Sequence, residues 1–195
     1  MASSERIKDD LAYVRGAVER TGSVHVPAVY LMWAAICLVG FSMSDFITNG
    51  WVGWSYSVIG WYWTVMGPLG FGASWWLSAR ANERAGQMSR QVGNRWGLHW
   101  AAFGATGVLG IALALSGHVG WEVYGALWVL LLALSYTLAG VHLERRLLPI
   151  GLMLGVGYIT ILFLPDYGWI AAGALTAVAL IAQAILGARA SGTAS

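Results

Sequence analysis

Charge is what this chain has least of. Asp, Glu, Lys and Arg make up only 10% of its 195 residues, against about 25% in a soluble globular domain. So little charge cannot clothe a water-facing surface. With 58% hydrophobic residues and a mean hydropathy of +0.64, the solvent that suits the chain is lipid. The net charge of +2 leaves no basic surface for a nucleic-acid partner. Cysteine is reduced to Cys37, inside an apolar run. That excludes an internal disulfide and makes the thiol a small hydrophobe. The first 22 residues lack the apolar core and small-residue site of a cleavable signal, so none is expected. There is no G-x-S-x-G, H-E-x-x-H, C-x-x-C or phosphate-binding loop. No acid or base falls in the middle of an apolar run, so a proton relay lacks its usual parts.

The charge that remains is placed. Its organising stretch is Arg80 to Arg95, with Arg80, Arg84, Arg90 and Arg95 against the single acid Glu83. Trp75 and Trp76 flank it on one side, Trp96 and Trp100 on the other. Arginines bordered by paired tryptophans describe a cytoplasmic loop between two membrane helices. Six apolar segments surround it, at about 26–46, 57–78, 97–116, 121–142, 147–164 and 168–187. Each has roughly 18–22 residues, enough to cross ~30 Å of hydrocarbon as a helix. Arg6, Lys8, Arg15 and Arg20 precede the first segment. Arg145 and Arg146 separate the fourth and fifth, and Arg189 follows the sixth. Every cation therefore falls on one side of a six-span weave, and the alternate loops hold none. The expectation is an all-α membrane protein in a bacterial cytoplasmic membrane, with six transmembrane helices as three hairpins and both termini cytoplasmic.

The chain divides into an amphipathic helix over 1–22, a bundle over 23–188 and a short tail over 189–195. In the first part Ser3 or Ser4 can cap the helix. Ile7, Leu11, Val14 and Val18 recur at helical spacing on one stripe, while Arg6, Lys8, Asp9, Arg15, Glu19 and Arg20 take the other faces. This segment is too charged to span. It is expected to lie on the membrane surface or pack on a protein, and its narrow aliphatic stripe favours a protein groove or self-pairing slightly over lipid. The run DDLAYVRGAVERTG, with Asp10, Leu11, Val14 and Arg15, resembles a loose group of short bacterial six-span membrane proteins. These open on an Asp-Leu-x-x-Val-Arg-type helix and have no assigned activity. The three-hairpin plan is similar, in architecture, to small six-span acid-resistance membrane proteins. No functional residue carries over from either group.

The cation-free loops read NGWVGW, GHVGW and PDYGW. Two continue alike, Gly120-Trp121-x-x-x-Gly125-Ala126-Leu127 and Gly168-Trp169-x-x-x-Gly173-Ala174-Leu175, which suggests a repeated hairpin. Gly104, Gly107 and Gly110, the pair Gly151 and Gly155, and the pair Gly70 and Ser74 mark close helix packing. Pro68 and Pro149 bend or start the second and fifth spans.

Three constellations could carry chemistry. Asp45, Glu122 and Asp166 fall near the outer interface, where they could attract cations. His25, His99 and His142 map to the cytoplasmic ends of spans one, three and four; converging, they could hold a metal ion or haem b. Trp51, Trp54, Tyr56, Trp61, Tyr62 and Trp63 form an outer aromatic cluster suited to belt anchoring. The leading functional expectation is a non-enzymatic membrane protein with no cofactor. It would engage a protein partner or itself through Ile7, Leu11, Val14 and Val18. The alternatives are a small-solute or ion pathway and a metal- or haem-dependent membrane enzyme.

Overall fold

The computed structural model describes residues 25–85 and 90–192. The stripe Ile7, Leu11, Val14 and Val18 lies outside them. The described residues form α1 (Pro27–Thr48), α2 (Ser57–Ala85), α3 (Arg90–Leu115), α4 (Trp121–His142), a 3-10 turn (Arg145–Leu147), α5 (Leu148–Phe163) and α6 (Gly168–Gly192), with no strand among them. An all-helical chain is what lipid demands, since each backbone donor and acceptor must then be satisfied within its own segment.

Local signals set the helix ends. Pro27 stands in the first turn of α1 and Pro149 in that of α5, where a missing N–H costs nothing. Pro68 lies inside α2 rather than at an end. The α1 C-terminus closes with the Asn49 N–H on the Asp45 carbonyl at 2.9 Å, and Gly50 follows in the left-handed region at φ +70°. Gly117 makes the same reversal after α3 at φ +74°. Residues with a Cβ rarely take that conformation.

Among the described residues five stretches are long and apolar enough to cross a membrane: Pro27–Thr48, Val92–Leu115, Trp121–His142, Arg145–Phe163 and Gly168–Arg189. Helix α2 is long, at 29 residues, but less apolar. Its first half alternates Trp, Tyr and Gly with aliphatics, and Asn82, Glu83 and Arg84 crowd its end. Both ends of the Arg80–Arg95 stretch are helical. Helix α2 runs through Arg80 and Arg84 to Ala85, and α3 begins at Arg90. RANERA is built of good helix formers, so the helix continues past the apolar segment. At that end the Arg80 guanidinium sits 4.6 Å from the centre of the Trp76 ring.

The first and last helices, α1 and α6, share the most extensive interface, followed by α4 with α5 and α5 with α6. Helix α2 packs on α1, and α3 on α4, over smaller areas. The neighbour order is therefore α2, α1, α6, α5, α4, α3. The ends of that row meet where Phe71 on α2 approaches Trp100 on α3, 6.4 Å between ring centres. The buried core belongs mainly to α1, α4, α5 and α6: Ala34, Phe41, Val129, Ile150, Leu154 and Leu180 are its fixed points.

Small residues let these four helices approach. A Cβ on Gly157 would stand 3.0 Å from the Ala172 Cα, and one on Gly151 would stand 2.5 Å from the Thr137 backbone nitrogen. Where no hydrophobic force separates lipid from protein, such contact supplies the packing energy. Elsewhere glycine makes room for an aromatic ring. Gly107 and Gly110 receive Trp128 and Tyr124, and Gly70 receives Trp33. Gly104 and Gly155, on the same sequence pattern, face open space.

Candidate functional site

Most Ser and Thr hydroxyls bond back to a carbonyl of their own helix, as Thr64, Thr106, Thr137 and Thr176 do, and a smaller set of polar side chains ties one helix to another. The Trp33 indole N–H donates to Ser74 Oγ at 2.9 Å, joining α1 to α2. The Tyr62 hydroxyl donates to the Ile36 carbonyl at 2.8 Å across the same pair. The Tyr124 hydroxyl reaches the Gly107 carbonyl at 3.0 Å, joining α4 to α3. His99 Nε2 lies 3.1 Å from the Ser135 carbonyl on α4. A carbonyl only accepts, so Nε2 carries the proton in this contact. Ser74 and Tyr62 were legible as small or belt residues. Their partners lie 41 and 26 residues away, beyond any local signal.

The most buried of these groups is Asp45, 1% exposed in the last turn of α1. Its Oδ2 accepts from the Ile170 N–H at 2.8 Å. Ile170 is in the first turn of α6, where backbone N–H groups have no partner within their own helix. A carboxylate from a neighbouring helix thus does the work of an N-cap, at the positive end of the helix dipole. The other oxygen, Oδ1, is buried without a hydrogen-bond partner. One turn on, Asn49 Nδ2 donates to the Asp166 carbonyl at 2.6 Å, fastening the same two helices at the loop. Glu122 and Asp166 are exposed, while Asp45 is turned inward onto α6.

No described family, curated protein or solved structure matches this chain.

The three histidines occupy separate environments. His25, just before α1, stacks on Tyr30 at 4.9 Å between ring centres. Its ring fills the space a Cβ at Gly187 on α6 would need. Burial lowers its pKa below the ordinary 6.5, and Arg146 adds to that while the Ala184 carbonyl and Glu144 oppose it. Neither ring nitrogen completes a hydrogen bond. His99 is engaged with α4, and His142 is exposed at the end of that helix. Among the described residues no three His, Cys, Asp or Glu side chains form a group that could hold a metal ion, these imidazoles included.

The outer aromatic cluster divides. Trp63 and Tyr62 turn inward, their rings nearly perpendicular at 5.3 Å between centres, and Trp63 meets Phe41, which also meets Trp169. Trp51 stays exposed between Phe46 and Tyr167. Tyr56, in the loop before α2, has its pKa raised by burial and further by the Glu122 carboxylate.

The last feature is a cleft of about 280 Å³ beside the α6 N-terminus. Glu122, Val123 and Leu127 of α4, Tyr158 and Leu162 of α5, and Trp169 of α6 contribute to its walls. The repeated glycine at position 125 admits the Trp169 ring from below, 3.3 Å from where a Cβ would stand. Its counterpart Gly173 instead admits Phe41 of α1.

Proposed function

We propose that this chain is a non-enzymatic anchor in the bacterial cytoplasmic membrane. It crosses six times as three hairpins, keeps both termini in the cytoplasm, and engages a protein partner or a second copy through the helix over 1–22. One observation carries the anchor reading. Asp45 and His99, an acid and an imidazole that a solute pathway or a redox centre could have used, hold helices together instead, Asp45 to α6 and His99 to α4. For a protein partner the fitting element is the stripe of Ile7, Leu11, Val14 and Val18, whose spacing suits helix-in-groove binding.

Support for six crossings comes from which ends meet. The end of α1 bonds to the start of α6 through Asp45 and Asn49, and the start of α4 shares a cleft with the start of α6. The loops after α1, α3 and α5 therefore gather at one end of the bundle. They hold no Lys or Arg; in the sequence all eleven cations fall before α1, between Arg80 and Arg95, between α4 and α5, or near the end of α6. Helix α2, at 29 residues and about 1.5 Å per residue, has the length to cross.

The test replaces Leu11 and Val14 with Asp in the full chain and follows assembly by crosslinking in native membranes. A complex seen with the natural sequence should be lost, with the variant's melting temperature unchanged. Complexes that persist in the double variant refute the docking role.

A further inference from the structure

We infer that the cleft between α4 and α5 is a binding site for a membrane lipid with a protonated amine headgroup, an aminophospholipid of the phosphatidylethanolamine type. The cleft is amphiphilic in the sense such a lipid requires. At its mouth stands the Glu122 carboxylate, in the first turn of α4. Below it the walls are apolar, with Val123, Leu127, Ile161 and Leu162 along the two helices and Ala126 in the floor. Val123 and Leu162 are more than half exposed, so the cleft opens sideways on the bundle's flank rather than inward. A lipid could enter from the bilayer without crossing the protein.

Charge complementarity selects the headgroup. Glu122 forms no ion pair among the described residues, and the sequence offers it none: no Lys or Arg lies in the loops of this end. The Glu122 carboxylate repels a headgroup with net negative charge. An ammonium group supplies the missing partner, and a carboxylate at headgroup depth meets it where field screening is partial. Two further residues that carry hydrogen-bond donors line the cleft, Tyr158 and Trp169. Tyr158 is on the helix facing Glu122, and a tyrosine hydroxyl and an indole N–H are both donors suited to the phosphate or ester oxygens of a lipid. A volume of about 280 Å³ holds a headgroup and the upper part of one chain, with the rest of the tail left in the bilayer.

The test measures lipid retention by the full-length protein released from micelles for native mass spectrometry. Dioleoyl phosphatidylethanolamine and dioleoyl phosphatidylglycerol are supplied at equal concentration. The natural sequence should retain the amine lipid at least fivefold over the anionic one. Glu122→Gln removes the charge and keeps the shape, so retention of the amine lipid should fall to the level of the anionic one. Leu127→Trp fills the cleft from its wall and should lower retention of both. The melting temperature of each variant confirms that it folds; Glu122→Gln, a surface change, keeps the test decisive if Leu127→Trp does not. Equal retention of the two lipids by the natural sequence overturns the proposal. So does a preference that survives Glu122→Gln.

Discussion

Asp45 shows how a single side chain can be mistaken for a functional group. An acid near the end of an apolar run reads as a cation-attracting carboxylate, because no Lys or Arg lies within twenty residues of it. The partner is the Ile170 N–H, 125 residues away. Its role as a cap predicts a graded response. Asp45→Asn keeps a side-chain oxygen for that N–H and should cost little, though its amide must fill the place of the unpartnered Oδ1. Asp45→Leu leaves a buried N–H without an acceptor, at about 1–3 kcal/mol, comparable to losing an N-cap. Thermal unfolding in detergent followed by circular dichroism should rank natural sequence, Asn and Leu in that order. A Leu variant as stable as the natural protein would mean that Asp45 does not hold α6.

The elements were largely legible. Apolar runs bounded by Gly-Trp turns gave α1, α4, α5 and α6 to within a few residues, since a bilayer leaves backbone groups no alternative to a helix. The errors fell on α2 and α3, whose polar ends extend beyond the hydrocarbon and obey helix propensity instead. The sequence also marked small residues as contacts without saying which were used. That depends on what faces them, and Gly155 faces nothing while Gly151 meets Thr137. The distinction predicts a contrast between two identical substitutions. A Cβ at Gly140 would stand 2.5 Å from the Leu148 backbone nitrogen and 2.6 Å from its Cα, and backbone in the tight α4–α5 turn cannot yield as a side chain can. Gly140→Ala should cost about 1–3 kcal/mol, the usual range for overpacking. Gly67→Ala, on α2 with open space around it, should be neutral or slightly stabilising through helix propensity. Melting temperatures of the two single variants make the comparison. Equal losses would indicate that helix contacts do not govern glycine placement here.

At the scale of the whole molecule one helix decides the topology. Helix α2 is the least apolar of the long helices, and its crossing fixes which side every later segment occupies. If α2 and α3 both cross, the loop before α2 and the turn after α3 lie on the same side of the membrane. If α3 crosses and α2 lies along the surface, they lie on opposite sides, and Arg80 to Arg95 share the side of the first loop. Native Cys37 is buried, so cysteine reporters can be introduced beside it. Ser55→Cys and His118→Cys are exposed sites in the two turns, and Arg84→Cys reports the far end of α2. A membrane-impermeant maleimide on intact cells with a permeabilised outer membrane should label the first two and spare the third until the inner membrane is broken. Labelling of Ser55→Cys without His118→Cys would show that α2 does not cross. The cations would then be divided between the two faces, a distribution that the positive-inside rule disfavours and that separates the ends joined by Asp45, Asn49 and the Glu122 cleft. Agreement between the labelling and those contacts is required for the bundle to exist in a membrane at all.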